Sequence, residues 1–141
     1  MDDVSDDLFV SGIEAAGDRA QLQANDITAV VSVTHESPDG GIPSGLDHRH
    51  LPMMDGPRND REAFEQAVTE TVELLQAGER VLVHCSWGSS RSAAVAATAV
   101  ALHRDQDIGD AFETVAAGRK EVDPHPELVR REVSVWADRR G

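Results

Sequence analysis

Tyrosine is absent from the 141 residues, lysine occurs once, at Lys120, and cysteine once, at Cys85. A single cysteine excludes an internal disulfide, and a free thiol suits a reducing compartment, so a cytoplasmic location is expected. No apolar run approaches the ~18 residues that a membrane-spanning helix needs, which sets aside a membrane protein. The opening Met1-Asp2-Asp3-Val4-Ser5-Asp6-Asp7 is acidic, not basic and then apolar, and does not read as a secretory signal peptide. Basic residues are scarce: 13 Lys and Arg stand against 26 Asp and Glu, a formal net charge of −13. That balance argues against a nucleic-acid partner, because such binding depends on neutralising phosphates. Two readings of the acidity remain, an ordinary acidic protein or a surface kept soluble at high salt as in halophilic organisms. The second is favoured, since net charge acts on solubility and self-repulsion more than on fold.

Residues 1–141 are enough for one domain with a real core, and no repeat, linker or low-complexity segment interrupts them. Leu8-Phe9-Val10 is a short strand candidate, and Asp18 is placed to cap a short helix running to about Asn25. Ile27 to Val33 is rich in β-branched residues and reads as a buried strand. Ser37 to Gly45 is loop by its turn residues, and His48 to Met53 is a third strand limited by Pro52. Phe64, Ala67, Val68, Thr71, Val72 and Leu75 recur at helical spacing, and Gly78 stops that helix. Val81-Leu82-Val83 is a buried strand, and the small apolar stretch from Ser92 to Leu102 predicts a helix packed on several sides. Ile108, Ala111, Phe112, Val115 and Ala116 mark another helix. The last helix runs from Pro126 to about Arg139, with Leu128, Val129, Val133 and Trp136 facing inward. Strands alternating with helices early, and helices dominating late, predict an α/β sandwich around a short, mostly parallel sheet flanked by helices.

The chemistry concentrates in His84-Cys85-Ser86-Trp87-Gly88-Ser89-Ser90-Arg91-Ser92, between the last strand and the small-residue helix. A loop in that position can curl its backbone N–H groups toward one point, a nest for a tetrahedral anion reinforced by the helix N-terminus. Gly88 permits a left-handed turn or a close approach of ligand, and Ser86, Ser89 and Ser90 crowd an anion little. Arg91 can offer two parallel N–H donors to two oxygens of one phosphate. The same surroundings favour thiolate over thiol at Cys85. Ser92 can donate to the sulfur and steady it as a leaving group, and His84 is expected to hold the loop backbone. Trp87 either lines the pocket mouth or packs on the loop. Taken alone Cys85 could be a small buried hydrophobe. The arginine, the serine after it and the strand–loop–helix context point to an oxyanion site with a nucleophile at its centre.

The pattern Cys85-x5-Arg91-Ser92 resembles the phosphate-binding loop of the cysteine-dependent protein tyrosine and dual-specificity phosphatases. Leu8 to Val33 is similar to the first unit of the small dual-specificity members, and Arg119 to Trp136 to their closing part. The resemblance implies hydrolysis of a phosphomonoester on a phosphorylated protein through a phosphocysteine intermediate, with no metal and no organic cofactor. Cys85 is then the nucleophile, and Arg91 with the backbone of residues 86–91 holds the phosphate. The expelled oxygen needs a proton, and the family supplies it from an aspartate in a loop after an upstream strand. Here that loop is Leu51 to Asp60, and Asp55 looks like the acid. Asp60 is the alternative, although it also suits the N-cap of the helix that follows. One departure is His125, where the family often has an asparagine that braces the reactive loop.

His48 and His50 flank Arg49 at strand spacing and share one face, but no third or fourth ligand accompanies them, so a structural or surface role is expected. Glu36 and Arg58 read as solvated surface charges. A minimal, atypical, monomeric phosphatase is the expectation. Its rivals are a phosphate-binding interaction module without turnover, a phosphatase acting on a non-protein phosphoester, and a sulfur-transfer enzyme.

Overall fold

The computed structural model describes residues 1–140. Five strands, β1 (Asp2–Ser5), β2 (Leu8–Ser11), β3 (Ala29–Ser32), β4 (Asp47–His50) and β5 (Val81–His84), form one sheet in the order β1-β2-β5-β3-β4. Only the β1–β2 pair is antiparallel; β2–β5, β5–β3 and β3–β4 run parallel. The expected mostly parallel sandwich is therefore the observed one, and β5 occupies the middle of the sheet. Its carboxyl end is where an open parallel sheet presents ligands.

The pleat sorts side chains between two layers. Leu8 and Val10, Ala29 and Val31, and Val81 and Val83 face the main core, which also holds Phe64, Val68, Val95, Val100 and Val115. Phe9, Val30 and Leu82 face the other side, closing on Ala16, Leu22 and Ile27. The main core is roofed by α3 (Arg61–Gln76), α4 (Arg91–His103), α5 (Ile108–Gly118) and α6 (Pro126–Arg140); the smaller one by α1 (Ile13–Ala16) and α2 (Arg19–Ala24). Every residue of α4 from Ser92 to Ala101 is buried. Its alanines let α3, α5, α6 and the sheet approach it closely, so the helix carrying the arginine of the reactive loop is clamped on all sides. Asp18 caps α2 as expected, its Oδ1 accepting from the N–H groups of Ala20 and Gln21.

Besides the four-residue α1, which the sequence reading did not include, three elements differ from it. β1 was hidden in the acidic opening residues; it is an edge strand with only Val4 buried, so its charges stay in water. β4 is shorter than expected and ends at His50, ahead of Pro52, which can donate no ladder bond. In α6 the inward face is Leu128, Glu132 and Val135, while Val129 and Val133 are 37% and 43% exposed and Trp136 is partly buried against the core. At about 100° per residue the buried seam lies roughly 70° around the helix from the stripe that hydrophobicity alone selects.

A carboxylate at the centre of that seam has consequences. Glu132 is 2% exposed and its Oε2 has no hydrogen-bond partner among the described residues. Burial pushes its carboxyl up to about 8. The folded chain thus keeps a proton that the unfolded chain releases near the ordinary glutamate value, so stability falls as pH rises between the two. Glu132→Leu is expected to raise the melting temperature at pH 8 by about 5 °C or more. The gain shrinks toward zero near pH 4.5, the ordinary value for a glutamate. Melting curves across that range check it.

Candidate active site

Residues 85–90 turn between β5 and α4. The turn closes at Gly88, whose φ of +74° is left-handed, and a Cβ there would lie 2.6 Å from the Ser11 carbonyl carbon. No other residue meets both conditions. Gly12 is constrained from the opposite side: a Cβ would stand 2.9 Å from the Ser86 carbonyl oxygen, which accepts the Ile13 N–H at 3.1 Å. The loop is thereby pressed onto the end of β2.

Cys85 is 3% exposed. Its Sγ lies 3.1 Å from Ser92 Oγ and accepts the Gly88 N–H at 3.2 Å. Burial on its own pushes the thiol up. The Ser92 hydroxyl, the backbone N–H groups of Ser92 and Gly88 and the Arg91 cation outweigh that and hold Cys85 below the usual thiol range. The Arg91 guanidinium spans the loop mouth, donating to Ser86 Oγ at 3.0 Å and to the Met53 carbonyl at 3.2 Å.

The segment after β4 is joined to the loop a second time. Ser90 Oγ donates to Asp55 Oδ1 at 2.7 Å, and the Gly56 N–H donates to the same oxygen at 3.0 Å, at the start of the 3₁₀ turn Gly56–Arg58. Asp60, by contrast, occupies the N-cap position of α3, where its side chain makes no capping bond. Of the two carboxylates weighed from sequence, Asp55 is the one hydrogen-bonded to the reactive loop. A thiol held below its usual range, a guanidinium, a ring of small residues and a carboxylate tied to one of them can bind a tetrahedral oxyanion, attack it and exchange a proton with its leaving group.

The sequence profile described as "Dual specificity phosphatase, catalytic domain" matches residues 8–135. The chain belongs to that family. It is 32% identical over 124 residues to human dual specificity phosphatase 28, covering 87% of this chain and 70% of the relative. Identity to human dual specificity protein phosphatase 22 is 30% over 126 residues, covering 89% and 67%. The crystal structure of human DUSP28 superposes with a TM-score of 0.90 at 27% identity over 99% of this chain and 98% of that one. The chain is accordingly a protein phosphatase of the tyrosine/dual-specificity class with a phosphorylated substrate, and the family works through a phosphocysteine intermediate.

Within this dual specificity phosphatase the remaining loop residues divide by task. Trp87 does not pack on the loop; its side chain is 81% exposed beside the site. Ser86 and Ser89 are half-buried, and the Ser89 carbonyl accepts the Asp123 N–H at 2.7 Å. His84 is fully buried, with Nδ1 3.4 Å from the Cys85 carbonyl and Nε2 2.6 Å from Ser32 Oγ. The bracing expected of an asparagine at position 125 comes here from the backbone: the His125 N–H donates to Ser90 Oγ at 3.0 Å. The imidazole instead accepts the Glu127 N–H on Nδ1 at 3.1 Å, serving the first turn of α6.

Sequence reasoning missed two supports. Arg119 donates to the carbonyls of Gly88 and Trp87 at 2.9 and 2.8 Å and pairs with Asp2 at 2.9 Å. It thus fastens the outside of the loop to β1. Asn59 is 5% exposed and ties the segment that carries Asp55 together, donating to the Met54 carbonyl and receiving Arg131 on its own carbonyl at 2.8 Å. Nothing in the spacing of these arginines sets them apart from the other ten in the chain.

Proposed function

We propose that the Cys85 thiolate attacks the phosphorus of a phosphorylated side chain while Arg91 and the N–H groups of residues 86–91 hold the non-bridging oxygens. The P–O ester bond breaks, Asp55 protonates the departing oxygen, and phosphate is left on Sγ. Water then attacks, Asp55 takes its proton, the P–S bond breaks and Ser92 donates to the returning thiolate. Ser86, Trp87, Gly88, Ser89 and Ser90 form the cradle, and His84 supports it from behind. The observation that carries this reading is the pair of donors, Ser92 Oγ and Gly88 N–H, aimed at one buried sulfur beside Arg91. The chemistry needs no metal, so turnover of p-nitrophenyl phosphate in EDTA tests it. Phosphate binding without turnover would mark an interaction module instead.

The substrate we infer is phosphoprotein, with phosphotyrosine and phosphoserine/threonine distinguished by kcat/KM on matched phosphopeptides. The net charge of −13 disfavours polyanionic substrates and nucleic acid. No helix among the described residues is long and apolar enough to cross a membrane. The free thiol of Cys85 suits a reducing compartment, and on that ground we infer a cytoplasmic enzyme, taken as a monomer. The acidic surface fits a halophilic setting. Screening its self-repulsion is expected to raise the melting temperature by several degrees between 0.1 and 2 M KCl. An unchanged or falling melting temperature rejects that assignment.

A further inference from the structure

The sheet carries a hydrogen-bonded chain that leads away from the nucleophile to an exposed edge. In the parallel register Ser32 on β3 stands opposite His84 on β5 and His50 on β4, and Val30 opposite His48. Side chains two apart on a strand share a face, so Ser32, His84, His48 and His50 all project to the side of the smaller core. Ser32 Oγ, 3% exposed overall, lies 2.6 Å from His84 Nε2 and 2.9 Å from His48 Nε2. One hydroxyl therefore joins a buried imidazole to an exposed one.

The direction of the chain follows from its inner end. His84 Nδ1 faces the Cys85 carbonyl at 3.4 Å, and a carbonyl oxygen only accepts. With Nδ1–H this long contact is a hydrogen bond, whereas a bare Nδ1 would set two lone pairs face to face, so the carbonyl favours Nδ1–H and the other nitrogen's partner decides how completely. Burial holds His84 near 4, so at neutral pH it is uncharged and its Nε2 is a bare acceptor. Ser32 then spends its one proton on His84 Nε2, and its oxygen accepts from His48 Nε2–H. Reversing any link reverses all of them. His50, stacked on His48 with ring centroids 6.2 Å apart, is held separately by the Thr34 carbonyl at 2.7 Å.

We propose that His48 is a positioning residue for the nucleophile loop: through Ser32 it fixes the tautomer of His84 and so the hydrogen bond to the Cys85 carbonyl. The tautomer of a histidine is set by the bond its other nitrogen makes, and here that bond is polarised by a second histidine on another strand. His48 touches no reacting atom. The proposal rests on Cys85 as the nucleophile, but its first readout does not.

The test uses the full chain with ¹⁵N-labelled histidine. In the wild type His84 is expected as the Nδ1–H tautomer alone. In Ser32→Ala and His48→Phe it becomes a mixture, while His48→Gln, which keeps an N–H donor at the same reach, retains the single form. Because the chain has one cysteine, the rate of iodoacetamide alkylation at fixed pH reports Cys85 directly. It is expected to fall about three- to tenfold in Ser32→Ala and His48→Phe, the size of one net hydrogen bond, with kcat following and KM little changed. Circular dichroism confirms folding, which an exposed edge position and a serine-to-alanine change both favour. A single Nδ1–H tautomer in His48→Phe and Ser32→Ala overturns the proposal, as does a His48→Gln enzyme as impaired as His48→Phe. Absence of turnover in the wild type, with the tautomer shifts intact, would refute the catalytic reading and leave the positioning role standing.

Discussion

Cys85→Ser is expected to lose at least about 10⁴-fold in kcat, the scale on which removing a covalent nucleophile acts, while inorganic tungstate still binds within about tenfold of the wild type. The two halves have separate causes. Attack requires an anion, and the donors around Sγ hold the thiol below its usual range, whereas a serine hydroxyl is a far weaker acid and stays protonated there. Anion binding belongs to other atoms, the backbone N–H groups and the Arg91 guanidinium, which keeps its bonds to Ser86 and Met53 whichever atom stands at position 85. Trp87, exposed beside the nest, offers a fluorescence signal for the titration. A companion measurement follows from the thiol itself. The alkylation rate of wild-type Cys85 should reach half its maximum at a pH below the ~8.5 of an ordinary cysteine. A serine variant that turns over within tenfold of the wild type would falsify the nucleophile assignment.

The sheet and the reactive loop were legible because they obey local rules. β-branched runs bounded by turn residues marked β3 and β5, apolar periodicity marked α3 and α5, and the Cys85-x5-Arg91-Ser92 spacing carries its chemistry within seven positions after the cysteine. What escaped detection depends on partners distant in sequence. Arg119 acquires its task only when α5 ends beside β1 and residues 87 and 88 come within reach of its guanidinium. His48 was given a structural or surface role, and by exposure it lies at the surface. Its bond to Ser32 exists because the strand order places β3 between β4 and β5, an order no local pattern states. α6 misled for the opposite reason. A hydrophobic stripe was present, but the helix buries Glu132, and hydropathy rejects a glutamate as a core position. Burying that carboxyl is unfavourable at neutral pH, and the apolar contacts of Leu128 and Val135 offset it.

The acid assignment separates most sharply in Asp55→Asn. Asp55 Oδ1 is occupied by Ser90 Oγ–H and Gly56 N–H, which orient the carboxyl over the loop and leave Oδ2 to meet the leaving oxygen. Asparagine can keep both bonds through its own amide oxygen, so the segment stays in place and tungstate affinity should change by less than a few-fold. What asparagine cannot do is give up a proton and take it back. The cost is expected at about 10²–10⁴-fold in kcat, the usual worth of a positioned acid–base group, on phosphoserine peptides, whose alkoxide leaving group cannot depart unprotonated. It should be much smaller on p-nitrophenyl phosphate, whose phenolate leaves readily. Asp60→Asn supplies the contrast: its side chain makes no bond at the start of α3 and is not joined to the loop, so both substrates should be turned over at the wild-type rate. Should the leaving-group dependence appear in Asp60→Asn and not in Asp55→Asn, the 3₁₀ turn must swing by several residues when substrate binds. The Ser90–Asp55 bond would then be a latch that opens during the reaction and not the support of its proton donor.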